Sequence, residues 1–163
     1  MTDQLQIIVD DDRLLEAVRR APVLLEKELH DEIYRVVHIV ARDAKDFASK
    51  GGTSILTNSI NAFMAGPLEG IVAPGVEYAQ YVEQGTEPGY FPPYQNILDW
   101  VEQTHQQPQY PGDDKYDIAW RIALNIFYTG TEKQPFMEPS LEKNRATAER
   151  RLNAAIDRAL EAA

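Results

Sequence analysis

The chain is predicted to be α+β: a long N-terminal amphipathic helix and a C-terminal helix packed on a small antiparallel sheet, with a helical insertion. Three observations carry this prediction. A 27-residue stretch near the start repeats its apolar residues at steps of three and four, the period of a helix buried along one face. Two short runs rich in apolar residues flank the turn signal Gly66-Pro67. Helical patterns then close the chain, so strands and helices are segregated and do not alternate as in a βαβ fold. All 163 residues are assigned to one domain, and residues 88–132 to an insertion within it.

Residues 5–9 read as a short strand or an extended arm. Asp10, Asp11 and Asp12 offer helix caps, and a first short helix is expected over residues 13–20. Pro22 breaks it and suits the first turn of the next helix. That helix is expected over residues 23–49. Leu25, Leu29, Ile33, Val36, Val40, Ala44 and Phe47 form its apolar stripe, widened by Val37, Ala41 and Ala48. Glu28, Asp31, Arg35, Arg42, Asp43 and Lys45 are assigned to the opposite, solvent face. Gly51 and Gly52 are candidates for its left-handed stop.

Residues 53–58 read as a polar connection. Residues 59–65 and 69–73 read as two strands, although Met64 and Ala65 blur the alternation of the first. Tyr78, Tyr81 and Val82 are spaced for either a strand or one turn of helix, and a short helix ending at Gly85 is preferred. A compact helix is expected over residues 93–103, with Ile97, Leu98, Trp100 and Val101 inward. Residues 104–114 follow as a loop. Asp117 is expected to cap a helix over residues 118–128, which Gly130 closes. Pro139 opens the final helix, which runs to about residue 161. Its inward positions are Leu141, Ala148, Leu152, Ile156 and either Ala159 or Leu160.

The charge balance narrows the function. Twenty-six Asp and Glu against 16 Lys and Arg leave a formal net charge of −10. Such a balance opposes a grip on phosphates or on an anionic membrane surface. Cysteine is absent, which removes disulfides, a thiolate nucleophile and Cys-based zinc sites. His30 and His38 lie eight apart on the long helix, too far for one metal, and His105 falls in a loop. No serine sits in a Gly-x-Ser-x-Gly elbow, and Gly51-Gly52-Thr53 lacks the Lys of a phosphate loop. The aspartate runs do not follow the order of an EF-hand, and no pair of carboxylates stands out as a hydrolase dyad. The expectation is therefore no catalytic residue, no cofactor and no metal. The mid-chain aromatics Tyr78, Tyr81, Tyr90, Phe91, Tyr94, Tyr110 and Tyr116 read as an interaction surface or a local core.

Two Gly-Thr pairs organise the middle of the chain. The first ends Tyr78-Ala79-Gln80-Tyr81-Val82-Glu83-Gln84-Gly85-Thr86. The second, Gly130-Thr131, leads into Gln134-Pro135-Phe136-Met137-Glu138-Pro139-Ser140-Leu141-Glu142. Together with Thr53-Ser54-Ile55-Leu56-Thr57-Asn58-Ser59-Ile60, these segments resemble, in order, three motifs of the phage tail-completion proteins. That family comprises head–tail joining, or neck, components of long-tailed bacteriophages. The resemblance runs from residue 23 to the end. Ser54 stands where the family has Gly, Ser140 where it has Ala, and residues 88–132 are an addition.

The resemblance implies a non-enzymatic virion protein of the tail or neck, present in the host cytoplasm during assembly. It implies self-association into a ring, a hexamer in the virion, with the isolated chain free to be a monomer. The implied neighbours are a tail tube protein and a head-connector protein. DNA would pass through without specific binding, and no membrane is involved. Tyr78, Tyr81, Glu83, Gly85, Thr86, Gly130, Thr131, Pro135 and Phe136 are the residues expected to position the fold or its interaction loops. The alternative from charge alone is an acidic inhibitor or regulatory protein that binds a basic partner.

Overall fold

The computed structural model of the protein describes residues 12–48, 54–108 and 110–162. Its elements are α1 (Asp12–Arg20), α2 (Pro22–Ala48), α3 (Ser54–Ser59), β1 (Ile60–Gly66), β2 (Glu69–Pro74), α4 (Ala79–Gln84), α5 (Tyr94–Thr104), α6 (Lys115–Thr129) and α7 (Met137–Glu161). The class is α+β, as the sequence predicts. The proposed strand or arm at residues 5–9 and the stop at Gly51 and Gly52 lie outside the described residues.

Helix α2 is the shared element, packing on α7 and on both strands. It runs antiparallel to α7, since Asp43 meets Asn144 while Arg158 reaches back to Glu28 and Glu32. Small residues let the helices approach closely: Ala44, Ala148, Ala155 and Ala159 are all buried. Helix α1 folds against the far end of this pair, where Ala17, Leu25, Ile156 and Ala159 form a cluster of their own.

Strands β1 and β2 make an antiparallel hairpin, with Ile60 opposite Pro74 and Met64 opposite Gly70. The register shifts between Met64 and Gly66. Burial still alternates strictly along β1, with Met64 half-buried and Ala65 exposed; the pattern is blurred because the apolar Phe63 and Ala65 lie on the exposed face. The hairpin is pinned to α2 at its turn, where His30 Nδ1–H donates to the Pro67 carbonyl at 2.7 Å. A two-stranded hairpin is marginal alone, and the face it lays on α2 stabilises it.

Several expectations need correction. Residues 53–58 are not simply a polar connection, because α3 spans Ser54–Ser59. Burial of Leu56 against the end of α2 outweighs the weak helix propensity of Ser, Thr and Asn. The Ser59 hydroxyl donates to the Leu56 carbonyl and closes the turn. Asp43 is not on a solvent face: it is 2% exposed, because α7 covers α2 on that side. Asp117 does not cap α6. Asp114 is the cap, and Asp117 is the reciprocal partner of a capping box, accepting from the Asp114 N–H. On α7, Ala148, Ile156 and Ala159 are buried as expected, but Leu141 and Leu152 are only half-buried, and Ser140, Asn144 and Ala155 are buried as well.

Candidate interaction site

The positions singled out by the sequence converge on one junction, where α4 meets the entry to α7. Glu83, on α4, aims its carboxylate at the first turn of α7. One oxygen accepts from the backbone N–H groups of Phe136 (2.8 Å) and Met137 (2.9 Å), and the other from Glu138 (3.0 Å). Phe136, the residue before α7, supplies no side-chain cap. Glu83 does that task from 53 positions away. A carboxylate at a helix N-terminus meets both unsatisfied N–H donors and the positive end of the helix dipole. The Gln134 N–H donates to the Val82 carbonyl one turn earlier and fastens the same seam. Phe136 is 1% exposed and packs with Leu56, Ile60 and Ala79; Tyr78, Val82 and Met137 close over them. Pro135 is half-buried at the entry.

The two Gly-Thr pairs join each other directly. Thr86 and Thr131 form an antiparallel bridge, exchanging backbone hydrogen bonds of 3.1 and 3.0 Å, and their hydroxyls stand 3.0 Å apart. Gly85 and Gly130, at φ 72° and 71°, end α4 and α6 in a conformation that side chains rarely adopt. Residues 88–130 are thus clasped at their base.

Above the clasp the insertion is a hairpin of α5 and α6 with its own core of Leu98, Val101 and Ala119, backed by Ile97, Trp100, Ile118 and Ile122. The loop between its helices is held by Arg121, whose guanidinium pairs with Asp113 and lies over the Tyr110 ring. This guanidinium holds the Asp113 carboxyl below its ordinary value. Lys115 pairs with Glu102 across the two helices. At the base, the Tyr81 and Tyr90 rings lie 4.8 Å apart. The Tyr81 hydroxyl, with burial, pushes the Tyr90 hydroxyl up to about 12.

The outer side of the insertion carries a feature that the sequence reading did not assemble. Tyr94, Trp120, Phe91, Phe127 and Tyr128 touch in succession, with centroid separations of 6.2, 5.6, 6.3 and 5.3 Å. Trp120 is 51% exposed and Tyr128 71%, and Phe91 is also exposed. Attention to the Ile118, Ile122 and Ile126 stripe hides this second face. The signal that could have found it is Tyr116, Trp120 and Phe127, at steps of four and seven on the same helix. Contiguous exposed aromatics of this kind mark contact surfaces.

Two hollows line the seam between α4 and the insertion. One, of about 190 Å³, is bounded by Ile55, Val76, Glu77, Tyr78, Asn96, Asp99 and Trp100. The other, of about 440 Å³, is bounded by Pro74, Val76, Glu77, Ala79, Gln80, Tyr81 and Pro93. Glu77 and Asp99 face the first, but neither is buried, and Asp99 already accepts from Gln95 Nε2. Among the described residues no cluster of His, Asp and Glu is arranged to hold a metal ion. No described helix is long and apolar enough to cross a membrane.

Among the described residues two carboxylates are buried, Glu32 and Asp43, and both lie in the seam of α2 and α7. Glu32, 4% exposed, accepts from Arg35 (2.6 Å) and Arg158 (3.0 Å), and its other oxygen faces Arg151 Nε at 3.4 Å without hydrogen-bond geometry. Asp43 accepts from Asn144 (2.7 Å) and pairs with Lys143 and Arg42. The Asn144 amide holds its carboxyl below the ordinary value; burial opposes this, and Lys143 and Arg42 add to the lowering. Both acids join α2 to α7, with one Glu32 oxygen left without a hydrogen bond. Compared with models of known families, with curated proteins and with solved structures, the chain matches none.

Proposed function

We propose that the chain is a non-enzymatic virion structural protein that completes a phage tail and joins it to the head connector. One observation carries the reading. The three segments that resemble the tail-completion motifs, at residues 53–60, 78–86 and 134–142, pack into a single cluster. Leu56 and Ile60 come from the first, Ala79 from the second and Phe136 from the third. Glu83 of the second segment caps the helix that the third one opens. Motifs that meet this way act as one fold signature, so their ordered likeness to the family weighs more than each would alone. The reading places the protein at the head-proximal end of the tail, as a ring between tail tube and connector. The net charge of −10 supports a conduit that repels the phosphates passing through it.

The test is removal of the gene from the phage or prophage that carries it, followed by imaging of the particles. Separate filled heads, with tails absent, unfinished or of uncontrolled length, are the expected result. Normal joined virions would sink the proposal.

An acidic protein that binds a basic partner is the second reading, and one observation favours it. Residues 54–136 hold ten Asp and Glu against only Lys115, Arg121 and Lys133. Under this reading a cationic protein binds in a salt-sensitive manner and the virion is indifferent to loss of the gene.

A further inference from the structure

Packing is incomplete along the seam between the insertion and the rest of the chain. The two hollows there adjoin, since Val76 and Glu77 line both. Together they form a groove with residues 74–81 on one wall and the start of α5 on the other. Most of its surface is apolar or aromatic: Ile55, Tyr78 and Trp100 in the smaller hollow, Pro74, Tyr81 and Pro93 in the larger.

Two carboxylates interrupt that surface. Glu77 is common to both hollows, and Asp99 lines the smaller one. Neither has a cation for a partner. Asp99 accepts from the neutral Gln95 amide, and Glu77 forms no hydrogen bond or ion pair among the described residues. No Lys, Arg or His lines either hollow. Elsewhere Glu32, Asp43, Glu102 and Asp113 each face at least one Lys or Arg. The groove therefore holds uncompensated negative charge beside an indole.

This chemistry selects the guest. An anion is repelled by both acids. A purely apolar guest strips water from the carboxylates and returns no hydrogen bond. Among the described residues no set of His, Asp and Glu is arranged for a metal ion. At about 190 Å³ the smaller hollow lies under the ~300 Å³ at which pockets for free small molecules begin, but it can hold one long side chain. A guanidinium meets every condition. It is cationic, its flat face stacks on aromatic rings, its edge donates two parallel hydrogen bonds to a carboxylate, and its methylenes suit an apolar wall. The larger hollow, of about 440 Å³, continues the groove for the residues flanking that side chain. Gln80 and Asn96 offer amides to their backbone.

We infer that the groove binds an arginine-bearing segment of another protein, with the guanidinium in the smaller hollow against Trp100 and paired with Glu77 and Asp99. The site gives the basic partner of the second reading a definite place, and it suits a neighbour in a tail equally, so it depends on neither reading. Normal virions after gene loss leave it standing, and a groove that binds nothing leaves the tail role standing.

The experiment is a proton–nitrogen correlation NMR titration of the purified full chain at low salt. The probe is a capped pentapeptide, one arginine with two alanines on either side, added to ~5 mM. Trp100 and Trp120 are the two tryptophans, so two indole N–H signals report, and Trp120→Phe assigns them. The Trp100 signal is expected to shift on a saturable curve with a Kd of about 1 mM. The same peptide with citrulline, a neutral isostere, is expected to bind at least about tenfold more weakly, and with lysine at least about threefold more weakly. Glu77→Gln with Asp99→Asn is expected to weaken the arginine peptide about tenfold. Glu26→Gln with Glu149→Gln removes two exposed charges elsewhere and is expected to leave it unchanged. The citrulline comparison uses wild type, so it stands even if the groove variant loses its fold. Spermidine is expected to leave the Trp100 signal in place. A Trp100 signal that ignores the arginine peptide, a citrulline or lysine peptide that binds as tightly, or equal losses in the two double variants would each overturn the inference. So would spermidine shifting Trp100 as the peptide does, which would make the occupant a polyamine.

Discussion

Thr86 and Thr131, 45 positions apart, exchange both backbone hydrogen bonds and bring their hydroxyls to 3.0 Å. The bridge is isolated from the hairpin sheet, and it lets a helical pair be inserted without disturbing the core beneath. Chain leaving at residue 86 returns at residue 131 beside its point of departure. Long insertions between adjacent ends are tolerated because closure entropy grows slowly with length.

The clasp depends on the glycines that precede each threonine. A Cβ at Gly85 would lie 2.5 Å from the Thr131 carbonyl oxygen, and one at Gly130 would lie 2.2 Å from that of Thr86. Both contacts are with backbone, which cannot step aside without breaking the bridge. Gly89 also has a positive φ, but a Cβ there meets nothing within 4 Å. Gly85→Ala and Gly130→Ala are each expected to cost about 2–4 kcal/mol in urea denaturation, and Gly89→Ala about 1 kcal/mol. Equal losses at all three positions would show that steric contact at the clasp is unimportant.

Glu83 is expected to matter through α7 and not through any ligand. Its carboxylate serves three N–H donors, two at Phe136 and Met137 and a third at Glu138. Glu83→Gln keeps one acceptor oxygen and should cost about 1 kcal/mol; Glu83→Ala should cost about 2–3 kcal/mol. Amide hydrogen exchange gives the local signature: protection at residues 136–138 drops while that of α5 and α6 holds.

The helices with one buried face were legible because periodicity reports burial directly. Leu25, Val40 and Ala44 appear where a 3.6-residue repeat puts them. The same logic failed at Asp43 and Asn144. A helix covered on two sides keeps only a narrower polar face, here including Arg35, Arg42 and Asp46, and which charged residue falls under the second helix depends on tertiary packing. Leu56 misled for the opposite reason, since one buried leucine in a polar stretch leaves no period to read. At the junction, Gly85 and Gly130 could be recognised as helix ends from their type. That Glu83 caps a helix 53 positions onward, or that Thr86 pairs with Thr131, is a long-range relationship that spacing does not encode. The aromatic face was missed because its members come from both sides of the insertion and join only when α5 and α6 fold together.

The hairpin's seat on α2 gives another expectation. At Gly70, opposite Met64, a Cβ would fall 2.5 Å from Val37 Cγ1 and 2.9 Å from Ile33 Cγ2. Here the obstacles are side chains, so relief can come from the helix. Gly70→Ala should cost about 1–3 kcal/mol by overpacking. Gly70→Ala combined with Val37→Ala should recover part of the loss, which a thermodynamic double-mutant cycle measures as a favourable coupling. Strict additivity would contradict the contact.

Asp43 contributes to the acid limb of the stability curve. Its folded-state pKa lies below the ordinary 3.8 because the ionised carboxylate accepts the Asn144 amide and faces Lys143. A depressed carboxylate pKa means that the unfolded chain binds the proton more readily than the folded one. The contribution is fully present above about 3.8 and is lost as pH falls through the lower folded value. Asp43→Asn removes this dependence, and at neutral pH it should cost about 3 kcal/mol, since Lys143 and the buried Asn144 lose their charged partner. Urea denaturation of wild type and variant from pH 7 to pH 2.5 is the measurement. The gap between them should be constant above pH 5 and narrow below pH 4. A gap that widens on acidification would mean that protonated Asp43 is the stabilising form, contrary to the geometry around Asn144.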